Sequence, residues 1–190
     1  MSLKKNVLRV FSANFIQLLS SIIVGFFVPA ILSVDSYANL KTYTLYISYI
    51  GMLSFGFVDG IYIKYGGKNL EKLDLGVIKG EHYFIFIFEL IISLLFLVVS
   101  IIMKDIIIFL FSITIIPSII SGFHNNFNQA IGNFKKYTRM MYIYSIVYML
   151  INVILALFFR SENYIYYCLV SFFSNLIVVV IYEYNFMEEF

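Results

Sequence analysis

The sequence predicts an all-α, polytopic transmembrane helix bundle of about six spans, with N- and C-termini cytoplasmic. Three observations predict it. First, 62% of the 190 residues are hydrophobic and only 13% are charged, whereas soluble domains are about 45–50% apolar and about 25% charged. A globule of this size cannot hide 21 Phe and 16 Tyr along with its Ile and Leu, so the natural solvent is lipid. Second, Asp, Glu, Lys and Arg are absent from 10–34, 42–58, 106–134, 140–159 and 163–182. Third, the links between these runs are short, and a chain inside hydrocarbon must satisfy its own backbone groups, which selects helices over open sheets. No linker or low-complexity tract interrupts the chain. Residues 1–190 therefore read as a single transmembrane domain.

Crossing the hydrocarbon core takes about 20 mostly apolar residues, which sets the elements in order. The first span covers 10–32. Lys4, Lys5 and Arg9 before it suit the head of a signal peptide, but the charge-free run to 34 outlasts the usual core of about 7–15 residues. "FVPAILSVDS" also offers no small-x-small cleavage site, so this reads as a retained span. The second span covers 40–63. The third, 82–103, contains Glu89, yet residues 84–102 hold sixteen Ile, Leu, Phe or Val. At about −0.3 to −0.6 kcal/mol each, they outweigh a central acid costing about +2.5 to +3.5 kcal/mol. The fourth span, 105–130, carries Pro117, which removes a backbone donor and favours a bend. The fifth and sixth cover 141–159 and 164–184.

The outer links are "SVDSYAN", the turn at Lys104-Asp105 and "RSEN". The inner links are "KYGGKNLEKLDLGVIKGEH", expected as a turn with an interfacial helix, and the basic "GNFKKYTRM". With the N-terminus inside, ten of the 13 Lys and Arg lie on the cytoplasmic side. Only Lys41, Lys104 and Arg160 lie outside, as the positive-inside rule requires. The positive charge belongs to inner-leaflet loops and does not describe a nucleic-acid groove. Tyr43, Tyr46, Tyr62, Tyr65, Tyr83, Tyr137, Tyr164, Tyr166, Tyr167, Tyr182 and Tyr184 sit near span ends, as interfacial anchors do.

Polar atoms in hydrocarbon face a bundle interior or a wet cavity. Asn14, Gln17, Ser21 and Gly25 share one face of span one. Ser118, Gly122, Asn125, Gln129 and Gly132 share one face of span four, with Ser121, Asn126 and Asn128 alongside. Two readings stand: small residues and amides that pack helices together, or two stripes converging on a polar cavity. The candidate cavity residues are Asn14, Gln17, Ser21, Asn125, Asn128 and Gln129. His124 is either a hydrogen-bonded bundle residue or a proton relay. Glu89 either snorkels and pairs with Lys64 or Lys79, or binds a coupling ion. Asn152 and Asn175 read as packing amides.

No catalytic constellation is visible: no paired carboxylates, phosphate-binding loop, nucleophile elbow or metalloprotease motif. His82 and His124 are the only histidines, and Glu183, Glu188 and Glu189 trail at the C-terminus. An enzyme is not expected, nor is a cofactor. No metal-ligand set is read either, since Cys168 stands alone and reads as a buried core residue.

"GFVDGIYIKYGG", Gly56 to Gly67, ends span two. Gly56 and Gly60 form a small-x-x-x-small pair, which predicts close approach of a neighbouring helix. Asp59 lies between them near the inner interface, and Lys64 can snorkel to the same water layer. After Tyr65, Gly66 and Gly67 stop the helix and turn the chain.

The stretch "LSFGFVDGIYIKYGG", behind a first span with a short basic N-terminus, resembles the second-span signature of bacterial polysaccharide flippases. These are the O-antigen and capsule-unit translocases of the multidrug/oligosaccharidyl-lipid/polysaccharide superfamily. "NQAIGNFKKYTRMMYIYSIVY" is similar to that family's Gln-rich, basic inner link. The resemblance extends over the chain but matches one lobe of a two-lobed protein, the N-terminal one. It implies a cytoplasmic-membrane transporter half, helping an undecaprenyl-diphosphate-linked oligosaccharide cross from inner to outer leaflet by alternating access. The two lobes would be related as parallel repeats. Energy would come from an ion gradient, with Glu89 or His124 as the candidate coupling groups. Partners would be the lipid bilayer, the lipid-linked oligosaccharide and a second lobe or second copy. Either Lys64, Arg9 or Arg139 would meet the diphosphate at the inner mouth, or the other lobe would supply the cation. The alternative is a truncated or accessory membrane subunit that packs and does not transport.

Overall fold

The computed structural model describes residues 3–189, and these form helices with no strand among them. Helix α1 spans Leu3–Ile31, α2 Val34–Ser48, α3 Phe57–Tyr65, α4 Leu75–Met103, α5 Ile106–Ala130, α6 Phe134–Leu157 and α7 Tyr164–Glu189. Short 3₁₀ turns lie at Ile50–Ser54 and Leu70–Lys72. Five helices are long and apolar enough to cross a membrane, and α2 with α3 makes a sixth span if the bent pair is counted as one. The chain is a multi-pass, all-helical membrane protein.

Span two is not the single helix expected over 40–63. It breaks at Phe55-Gly56, where Val34–Ser54 and Phe57–Tyr65 meet at 57°. The cause is local: Phe55 (φ 49°) and Gly56 (φ 79°) are both left-handed, a conformation no helix can continue through. The inner link also differs, because it holds a 3₁₀ turn and no interfacial α-helix. Asp74 caps α4 by accepting from Gly76 N and Val77 N, so this helix starts well before position 82. Asn133 likewise caps α6, accepting from Lys136 N, ahead of the expected start at 141. Hydropathy marks where the apolar run begins, whereas these helices run on into the polar residues that flank it. Pro117 does not interrupt α5.

Helix α5 is the hub. Its most apolar window is 56% buried, against 11% for that of α1. Helices α2, α3, α4, α6 and α7 all pack on α5, while α1 packs on α6. Buried hydroxyls and amides tie these seams. Ser93 Oγ donates to Ser112 O at 2.8 Å, joining α4 to α5. Tyr43 and Thr114 share a hydroxyl hydrogen bond at 2.9 Å. Asn175 Nδ2 donates to Ser118 Oγ at 3.2 Å. Ser20 Oγ donates to Ser145 O at 2.9 Å, and Ser12 meets the Tyr142 hydroxyl at 2.5 Å; these two bonds hold α1 against α6.

The helix approach expected at Gly56 and Gly60 does not occur. A side-chain carbon at either position would meet nothing within 4 Å. The close contact is made instead by Gly122, where such a carbon would stand 3.7 Å from Val58 Cγ1. Asn126 Nδ2 donates to Val58 O at 3.1 Å at the same place. The double glycine does turn the chain. Gly67, at φ 74°, donates its N–H to Ala130 O at 3.0 Å, which fastens the end of α3 to that of α5.

Candidate functional site

The two polar stripes of α1 and α5 line one cavity of about 450 Å³. Asn14 and Gln17 enter from α1, and Ser118, Asn125, Asn126 and Gln129 from α5. Helix α6 adds Tyr137, Tyr144 and Ser145, and α7 adds Asn175. Gly122 also lies on the wall, and its missing side chain leaves room between α5 and α3. The cavity therefore sits among α1, α5, α6 and α7, toward the ends of α1 and α6 that carry Arg9 and Lys135. Asn125 Oδ1 is buried against it with no hydrogen-bond partner, and an amide oxygen in that state costs free energy until something donates to it. No Lys or Arg is among the lining residues.

Two of the expected cavity residues lie elsewhere. Ser21 is exposed outside the cavity, and its hydroxyl donates to Gln17 O at 3.0 Å. Asn128 is buried, about 100° around the helix from Gln129. Its amide donates to His124 O at 2.7 Å and touches Met140 Sδ at 4.0 Å. Helical spacing grouped Asn128 with the stripe, but the rotation turns it away from the cavity and onto Met140 of α6.

The inner-mouth motif forms a latch on α4. Lys64 pairs with the Glu81 carboxylate, and the Tyr65 hydroxyl donates to Glu81 Oε2 at 2.7 Å. Lys68 lies 5.7 Å over the Tyr65 ring. Asp59 and Gly60 are exposed. Glu89 does not take part: it is fully buried, and neither carboxylate oxygen has a hydrogen-bond partner. The expected pairing of Glu89 with Lys64 is therefore corrected, because Lys64 belongs to Glu81.

A third group was not legible in sequence. His82 of α4, His124 of α5 and Glu183 of α7 converge inside the bundle. His82 Nε2 lies 2.6 Å and His124 Nε2 3.0 Å from the same oxygen, Glu183 Oε1. Phe123 and Phe186 wall the imidazoles. Glu183, expected to trail at a terminus, instead closes a three-helix junction. The three residues are scattered along the chain, and only the antiparallel pairing of α4 with α5 and α7 brings them to one depth.

No protein-family model matches this chain, and no curated protein or solved structure matches it either.

Proposed function

We propose that the chain is one lobe of a bacterial cytoplasmic-membrane flippase, helping lipid-diphosphate-linked oligosaccharide pass from inner to outer leaflet during polysaccharide synthesis. The observation that carries this reading is the polar cavity between α1, α5, α6 and α7. Its volume falls within the range of about 300–1,000 Å³ typical of ligand sites. Its wall of amides and hydroxyls suits sugar hydroxyls, which both donate and accept. The signature at Gly56–Gly67 and the basic inner link supply the family resemblance. The lipid tail would remain in the bilayer while the glycan occupies the cavity. Among the described residues no cation lines that cavity, so the diphosphate would be met at the rim or by a second lobe. Buried and unpaired, Glu89 is the side chain best placed to take a coupling ion.

The test is Asn125→Leu and Gln129→Leu, made separately in a strain whose surface polymer depends on this chain. Both variants are expected to reach the membrane at normal levels and to lose surface polysaccharide. Normal polymer in both would remove the cavity from the mechanism and leave a packing role.

A further inference from the structure

We propose that His82, His124 and Glu183 form a binding site for one divalent transition metal of the zinc class, which clamps α4, α5 and α7 together. This inference is independent of the transport reading. The ligating atoms of the three residues lie within 4.8 Å of one another, and both imidazoles present Nε2 to one carboxylate oxygen. His82 is 6% and His124 2% exposed. His82 Nε2 stands 2.6 Å from Glu183 Oε1, yet it has no hydrogen-bond partner among the described residues. A buried ring nitrogen that is close to an anion but misaligned for hydrogen bonding is a poor end state. A cation between the three atoms resolves it.

The chemistry fits. Two imidazole nitrogens and one carboxylate oxygen form a known zinc donor set, with metal–ligand distances of about 2.0–2.2 Å and a fourth tetrahedral position for water. Tetrahedral ligands at that range stand about 3.3 Å apart. Seating a metal therefore asks the 3.0 Å pair to open slightly and the 2.6 Å pair by a fraction of an ångström. Glu183 can supply that movement, because its side chain is 25% exposed while the histidines are held by aromatic walls. The same exposure provides the route in. Imidazole selects this class of metal over calcium or magnesium, which prefer all-oxygen sites. The metal would tie together the ends of three helices that otherwise meet there through aromatic contacts and the His124–Glu183 hydrogen bond.

The test uses the full chain purified in detergent with any polyhistidine tag removed, and Co²⁺ as a spectroscopic probe. Wild type is expected to bind a single equivalent, with the intense visible bands of a low-coordinate site, and Zn²⁺ should abolish them. Zn²⁺ should also raise the melting temperature. His124→Ala and Glu183→Gln are expected to weaken binding by more than roughly 100-fold, since loss of even an outer-shell partner costs about 10–100-fold. Neither variant should gain thermal stability from Zn²⁺. X-ray absorption on the zinc-loaded wild type should give a shell of two imidazoles and oxygen, with no sulfur. This arm needs no variant, so it decides the question even if the substitutions unfold the chain. No stoichiometric binding by wild type, a shell of oxygen alone, or equal binding by a His82→Ala/His124→Ala double variant would each overturn the site and leave a hydrogen-bonded latch.

Discussion

Glu89 shows how far single residues could be read. Its place on a helical face with His82, Ile85 and Ser93 is visible in the spacing, and the structure buries all four on one side of α4. What spacing cannot give is the absence of a partner. Lys64 was within reach by sequence distance, but it turns to Glu81, which sits about two turns nearer the start of α4. Glu89 is left as a buried polar group with no hydrogen bond at either oxygen. Removing such a group relieves a desolvation cost of about 1–3 kcal/mol. Glu89→Met is therefore expected to melt higher than wild type in detergent, while Glu89→Gln, which keeps a polar group at the site, should gain little. If Glu89 takes the coupling ion, both variants lose transport although both fold. A Glu89→Met protein that melts lower would show that the carboxyl has a partner, and its role as an open ion site would fail.

At the scale of elements, existence was legible and the interior of span two was not. Every charge-free run except 42–58 became a single helix over most of its length, because an apolar run in lipid has no other way to satisfy its backbone. The break at Phe55-Gly56 sits inside such a run, where hydropathy carries no signal, and the glycines of "GMLSFG" and "GFVDG" read equally well as packing glycines. The glycine roles were exchanged for the same reason: spacing identifies a small face but not which neighbour it meets. Gly60 has open space, whereas Gly122 faces Val58. Gly60→Leu is thus expected to leave the melting temperature of the isolated chain unchanged. Gly122→Leu should lower stability by about 1–3 kcal/mol through overpacking. Gly56→Ala should cost about 1–2 kcal/mol, the penalty of a left-handed non-glycine residue, because Gly56 adopts φ 79°. Melting curves of the three variants order these effects. A Gly60→Leu chain that folds alone but fails in cells would place a partner helix on α3 and favour the accessory-subunit reading.

The molecule as a whole is asymmetric about α5, and that asymmetry bears on what else must be present. Both stripes could be read from helical periodicity, and so could the possibility of a shared space between them. Which helices enclose it could not, because pairings between distant helices leave no periodic trace in one sequence. In the structure the N-terminal two thirds of α1 lean on α6, and Asn14 and Gln17 are exposed on the cavity's rim. In lipid, an uncovered amide costs several kcal/mol if unsatisfied, so this rim is expected to lie against protein or a water-filled cleft. A second copy can supply that cover. If six spans return both termini to the cytoplasm, two identical chains insert in the same orientation and stand as parallel repeats, as the two lobes of a transporter do. Gln17→Cys in a Cys168→Ala background is the direct measurement. In native membranes it is expected to cross-link to a second Gln17→Cys chain and to react with a water-soluble maleimide. Labelling without any cross-linked dimer would assign the rim to a different lobe. Neither labelling nor cross-linking would place α1 against lipid, and the cavity would then have no open side from which a glycan could enter.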